Sequence, residues 1–146
     1  MSDPERVMIV AVDPRRTETA DFADLYLPIR PGTDIALLNS MLHVLIREGM
    51  VDQDFIAKHT REFKKVKAVV EHCSPEAAAN ICDIPAPLII EAALIFGQAE
   101  AALTLWSMGV NQSTVGVHKN NAIHNLHLAT GKIGKAGCGP FSLTGQ

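Results

Sequence analysis

VMIVAVDPRRTETADFAD, residues 7 to 24, decides the fold, because an apolar run stops abruptly at an Asp-Pro-Arg-Arg turn. A short run of Val, Ile and Ala bounded by Pro predicts a buried parallel strand, and in open α/β sheets ligands sit beyond the carboxyl ends of strands. Asp13 and Arg15 then lie at a binding edge. In a dinucleotide-binding unit an acid at the end of the second strand follows a Gly-rich phosphate turn by about 20 residues. Residues 1–12 contain no glycine. The turn is therefore either absent from the fold or lies upstream of these 146 residues.

Working outward, TETADFAD reads as a polar segment anchored by Phe22, and LYLPI (Leu25 to Ile29) as a second short strand broken by RPGTD, Arg30 to Asp34. From Ile35 the apolar residues Leu38, Met41, Leu42, Leu45 and Ile46 recur at helical spacing, with Thr33 or Asp34 as N-cap and Gly49 as the stop. Residues 52–59 and 63–72 predict two further helices, the second with Val66, Val69 and Val70 inside and Lys64, Lys65 and Lys67 in solvent. Ser74-Pro75 opens a short helix through Ala79. IPAPLIIEAALIFGQ (Ile84 to Gln98) carries prolines in its first turn, where missing N–H groups cost least, and its near-continuous apolar surface predicts deep burial. AALTLWSMG (Ala101 to Gly109) reads as a third strand ending in an Asn-containing turn. Ile123, Leu126 and Ala129 then mark a helix that Gly131 can end in the left-handed conformation. KAGCGPFSLTGQ reads as a Gly-rich loop with no element to tie it down.

With 47% hydrophobic and 20% charged residues, the 146-residue chain has the composition of one globular domain, residues 1–146. A net charge of -3 gives no overall drive toward nucleic acid or anionic lipid. No early apolar h-region marks a signal peptide, and no segment approaches the roughly 20 apolar residues of a membrane span. The expected compartment is the cytoplasm, with neither nucleic acid nor membrane as a partner. Cys73, Cys82 and Cys138 form no CxxC and read as structural. The chain shows no internal repeat and no linker.

Asp13-Pro14-Arg15-Arg16-Thr17 suits a phosphate or ribose, because Arg presents a planar fork to phosphate oxygens and Asp accepts from sugar hydroxyls. The same residues also make an ordinary Asp-Pro turn. Gly32-Thr33-Asp34 places a hydroxyl and a carboxylate at a helix N-terminus, where capping explains both. A carboxylate there also suits the N1–H and 2-amino donors of guanine. Met108 and Gln112 follow the third strand in a turn whose polar residues need be no more than turn chemistry. His118, His124 and His127 lack HExxH spacing and a nearby carboxylate, so they read as surface or locally hydrogen-bonded residues and no metal site is expected. No GxSxG turn, P-loop or Cys/His pair positioned by a third group is present, so no catalytic residue is nominated.

VDPRRTETADFADLYLPIRPGTD, LWSMGVNQSTVGVHKNNAIHNLHLATGKIGKAG and CGPFSLTGQ together resemble the central part of a molybdopterin oxidoreductase, from about Val7 to Gln146. DPRRTETAD with PGTD resembles formate dehydrogenases and nitrate reductases alike. WSMGVNQ followed by GPFSLTGQ is more similar to the assimilatory, soluble nitrate reductases. The resemblance implies a Rossmann-like α/β fold, a short, mainly parallel sheet flanked by helices, as an incomplete fragment of a larger multidomain subunit. It implies bis-molybdopterin guanine dinucleotide with molybdenum as cofactor, and a 4Fe-4S cluster bound outside this chain. Asp13, Pro14, Arg15, Arg16 and Thr17 then correspond to ribose and phosphate contacts, and Gly32, Thr33 and Asp34 to the guanine end. Met108 and Gln112 correspond to positions near the pterin and metal. GPFSLTGQ resembles a loop lining the approach to the cofactor, with no contact assigned. The implied partners are the rest of the catalytic subunit, an electron-donor protein or domain, and nitrate as substrate. The iron–sulfur motif, the molybdenum ligand and the GSN-type turn of the family are missing from the sequence, as is the C-terminal domain that completes the second dinucleotide site, and Cys138 does not match the ligand position. The resemblance thus implies a parent that reduces nitrate to nitrite and a fragment inactive alone. The alternatives are a formate dehydrogenase alpha-subunit fragment or a non-catalytic nucleotide-binding module.

Overall fold

The computed structural model describes residues 7–143, in which short parallel strands are flanked by helices. β1 (Val10–Val12) pairs with β2 (Leu25–Leu27) in parallel, Val10 opposite Leu25, across a crossover carrying α1 (Glu18–Phe22). α2 (Asp34–Arg47), α3 (Gln53–His59), α4 (Phe63–Val70), α5 (Pro75–Cys82) and α6 (Ala86–Gln98) follow. β3 (Leu103–Trp106) then pairs in parallel with β4 (Gly139–Ser142), through α7 (Met108–Asn111) and α8 (Gly116–Thr130). Parallel pairing requires such crossovers, because a tight hairpin returns the chain antiparallel.

The expected α/β class holds, but the expected single sheet is two two-stranded sheets. The core explains the division. Leu25 and Leu27 of β2 pack with Leu37, Met41, Leu42, Val44 and Leu45 of α2, Ala78 and Cys82 of α5, Ile89, Ala92 and Ala93 of α6, and Leu126 and Ala129 of α8. Helices thus occupy the space beside β2, and β3 finds its partner in the C-terminal segment instead.

Local signals explain most boundaries. Gly49 takes a left-handed φ of 70° just past α2, Ser74 accepts from the Ala77 N–H to start α5, and Pro87 lies in the first turn of α6. α5 runs to Cys82 rather than Ala79 and stops at Asp83, which is left-handed with φ 61°. Further expectations need correction. The apolar run before Asp13 is strand only from Val10, and Val7, Met8, Ile9 and Val12 are exposed; among the described residues β1 has a strand neighbour on one edge. Phe22 does not anchor α1; it points into solvent and Ala20 is the buried residue. In α4, Val70 is buried and Val66 packs against the core, whereas Val69 is exposed, being about 100° around the helix from Val70. α6 buries Ile89, Ala92 and Ala93, but Ile90, Leu94 and Ile95 line a shallow surface trough. KAGCGPFSLTGQ is no untethered loop, since Gly139–Ser142 forms β4; Thr144, Gly145 and Gln146 lie outside the described residues. No single described helix is long and apolar enough to cross a membrane.

Candidate functional site

Asp13 and Thr17 follow β1, and Arg30 to Asp34 follow β2; because the strands are parallel, both segments lie beyond the same carboxyl end of the sheet. The first segment is fixed by its own side chains. Asp13 Oδ1 accepts from the Arg15 N–H at 2.8 Å, and the Tyr26 hydroxyl donates to the Asp13 carbonyl at 3.0 Å. Thr17 Oγ1 caps α1 by accepting from the Ala20 N–H at 3.4 Å. Arg16 Nε donates to Asp21 Oδ1 at 2.6 Å, and its guanidinium lies 5.8 Å from the Tyr26 ring centroid. The bond to Asp21 raises the already high Arg16 pKa. Pro14, Arg15 and Arg16 are exposed, and the Arg15 guanidinium enters no ion pair among the described residues.

At the second segment, Gly32 has φ 85°, a conformation that strains any residue with a Cβ, and the space beside it is open. Thr33 stands at the N-cap position but does not cap: its hydroxyl donates to the Arg30 carbonyl at 2.6 Å. Asp34 does not cap either. Its Oδ2 lies 2.8 Å from Lys119 Nζ, so the expected capping by Thr33 or Asp34 gives way to a turn and an ion pair.

The third segment follows β3. Trp106 Nε1 donates to Asn111 Oδ1 at 2.9 Å, Asn111 Nδ2 donates to Ser142 Oγ at 2.8 Å, and Asn120 Nδ2 reaches both Asn111 Oδ1 and the Gly116 carbonyl. α8 starts so close to α7 that a Cβ on Gly116 would stand 2.5 Å from the Asn111 carbonyl oxygen. The turn expected at Met108 to Gln112 is thus one short helix tied by these hydrogen bonds, with Met108 half-buried and Gln112 exposed at its end.

Lys119 links the second and third segments: its ammonium, on a side chain 4% exposed, also donates to the Gly109 carbonyl at 3.2 Å. It was missed as a site residue, although the sequence signals it: Lys119 precedes Ile123 by four and Leu126 by seven, on the apolar face of α8. No such link joins Asp13–Thr17 to the other two segments among the described residues. His127 is buried, its Nδ1 2.7 Å from the Lys132 carbonyl and its Nε2 2.8 Å from Thr104 Oγ1, and burial pushes its pKa down. His124 Nδ1 lies 2.6 Å from the Asn120 carbonyl and its ring meets Trp106 edge to face. Both histidines are locally hydrogen-bonded, and among the described residues no three or more His, Cys, Asp or Glu side chains cluster as metal ligands. Cys82 and Cys138 are buried and Cys73 half-buried.

Parallel strands with a glycine turn, arginines and a carboxylate beyond their carboxyl ends, flanked by helices, define an α/β protein. The family model for molybdopterin oxidoreductases matches residues 2–144, and the chain belongs to that family. Membership implies molybdenum with a pterin cofactor. The chain is 48% identical over 140 residues to a nitrate reductase of Synechocystis sp., covering 96% of this chain and 20% of that protein. It is 46% identical over 138 residues to an F420-dependent formate dehydrogenase subunit alpha of Methanocaldococcus jannaschii, covering 94% and 20%. Among solved structures, acetylene hydratase from Pelobacter acetylenicus superposes with a TM-score of 0.85 at 28% identity, over 89% of this chain and 18% of that one. The chain spans about a fifth of the length of these curated relatives.

Proposed function

We propose that this chain holds the nucleotide arm of a molybdopterin guanine dinucleotide within the catalytic subunit of an assimilatory-type nitrate reductase. The observation that carries the proposal is the Asp34 carboxylate, which opens α2 without capping it and is 22% exposed beside an open glycine turn. The donor set fits the group. Arg15 and Arg16 offer forked N–H donors to a diphosphate, Asp13 and Thr17 hydrogen-bonding oxygens to a ribose, and Asp34 paired acceptor oxygens to guanine. Gly32 and Thr33 shape the turn that brings backbone close to the base, and Pro14 fixes the turn that presents the arginines.

When bound, the molybdenum cofactor would supply two-electron chemistry that moves an oxygen atom from nitrate and leaves nitrite. This chain's share is to bind and orient, which is what proteins generally add to such cofactors. Met108 and Gln112, held by the Trp106–Asn111–Ser142 network, would face the pterin end and keep it in one position. Electrons would arrive from a donor protein or domain through a 4Fe-4S cluster elsewhere in the subunit, which is cytoplasmic in this proposal.

The likeness of WSMGVNQ and GPFSLTGQ to assimilatory enzymes supports nitrate, as does the 48% and 47% identity to two of the similar nitrate reductases. A second reading, formate oxidation, is favoured by the near-equal identity to formate dehydrogenases. The full-length subunit, assayed with reduced viologen and nitrate and separately with formate and oxidised viologen, separates them. Nitrate turnover without formate turnover is expected; the reverse would replace the first reading with the second.

A further inference from the structure

Lys119 occupies a position that simple guanine binding by Asp34 does not explain. A lysine is rarely buried unless paired, because its ammonium loses water. This one has a side chain only 4% exposed, yet its Nζ meets two acceptors from different elements: Asp34 Oδ2 at 2.8 Å and the Gly109 carbonyl at 3.2 Å. Asp34 opens α2, and Gly109 lies within α7, one residue after Met108 and three before Gln112. The more exposed partner is the carboxylate. Lys119 therefore stands behind Asp34, holding one oxygen, while the carboxylate keeps acceptor capacity on its open side.

We propose that Lys119 is a positioning residue for guanine recognition, locking the Asp34 carboxylate in its base-reading orientation and tying it to the Met108–Gln112 segment. This rests on Asp34 reading guanine. A carboxylate free to rotate spreads its acceptors over several directions, whereas one pinned by a buried cation presents them in a single direction. The Gly109 bond makes the same ammonium a strut between the base end and the segment proposed to face the pterin.

The test uses the cofactor-free full-length subunit with GMP and AMP as probes, comparing dissociation constants by equilibrium dialysis, with a thermal melt of each variant. Wild type is expected to prefer GMP by about tenfold or more, since adenine offers no matching donor pair. Lys119→Met and Asp34→Asn should each bring the ratio of the two constants close to one, and the double variant should fall no further, because both remove one coupled feature. A merely structural ion pair lowers the melting temperature without changing that ratio. Wild-type GMP preference that is lost in Asp34→Asn but kept in Lys119→Met would overturn the positioning role alone. Absence of any preference in wild type, or preference retained in Asp34→Asn, would instead overturn the guanine reading beneath it.

Discussion

His127 and Lys132 show what buried polar residues do away from the proposed site. Lys132 is 8% exposed and donates to the Ala99 carbonyl at 2.7 Å and the Gly97 carbonyl at 3.3 Å, closing the C-terminal end of α6, where backbone oxygens lack partners. Burial lowers its pKa. Lys132→Met should therefore destabilise the chain by about 1–3 kcal/mol in urea titration, through orphaned carbonyls; an unchanged midpoint would contradict this role. His127 predicts a pH effect with a definite sign. Burial lowers its pKa below the usual 6.5, so the unfolded chain takes up the proton first as pH falls. Its contribution is present above about 6.5 and is lost as pH falls toward the folded value, by at most about 1.4 kcal/mol per pH unit. The urea midpoint should drop more between pH 7.5 and 5.5 in wild type than in His127→Asn, and equal drops would refute the assignment. At this scale the sequence displayed Asp13 to Thr17 and Gly32 to Asp34 as polar groups at strand ends. It could not display pairing across the fold: whether Asp34 caps α2 depends on Lys119, 85 residues away in the chain.

α2 to α6 and α8 were legible because most of their caps and their periodicity are local, whereas α1 and α7, read as a polar segment and a turn, are too short to show a period. Gly131 illustrates how one residue serves two elements. Its φ of 63° ends α8, and a Cβ there would stand 2.6 Å from Asp52 Oδ2, while Asp52 Oδ1 caps α3 by accepting from the Phe55 N–H at 2.8 Å. Gly131→Ala should cost about 1–3 kcal/mol, combining left-handed strain with a disturbed cap. Gly49→Ala, at φ 70° with open space around it, should cost only the strain, about 1 kcal/mol. Urea titration of the two variants checks the difference, and equal costs would contradict the shared role. β4 was hidden because Gly139-Pro140-Phe141-Ser142 has neither alternation nor strong strand propensity; long-range pairing with β3 makes it a strand. The division into two sheets was hidden for the same reason, since strand order is decided by the core helices and not by any strand's own residues.

For the whole molecule, the α/β class and parallel pairing could be read from apolar runs and turns, while exposed apolar surface could not. Leu103, Leu105 and Phe141 on the second sheet, Val7 and Met8 before β1, and Phe22 of α1 are each about half exposed or more. In a chain spanning about a fifth of its relatives, such surface fits contact with the rest of the proposed subunit. The 146-residue chain alone should bind a hydrophobic dye and show no nitrate or formate turnover; turnover surviving chelation and repurification would refute a purely binding role. The central claim is that Asp34 reads guanine, and its most direct test is molybdenum and guanine content of full-length Asp34→Asn beside its thermal melt. Asn presents one donor amide to the base, a mispairing of about 1–3 kcal/mol, so cofactor content should fall about fivefold or more, beyond the loss in the melt of the cofactor-free protein that follows from breaking the ion pair with Lys119. Full cofactor content with a lowered melting temperature would contradict the account, leaving Asp34 as half of a structural ion pair.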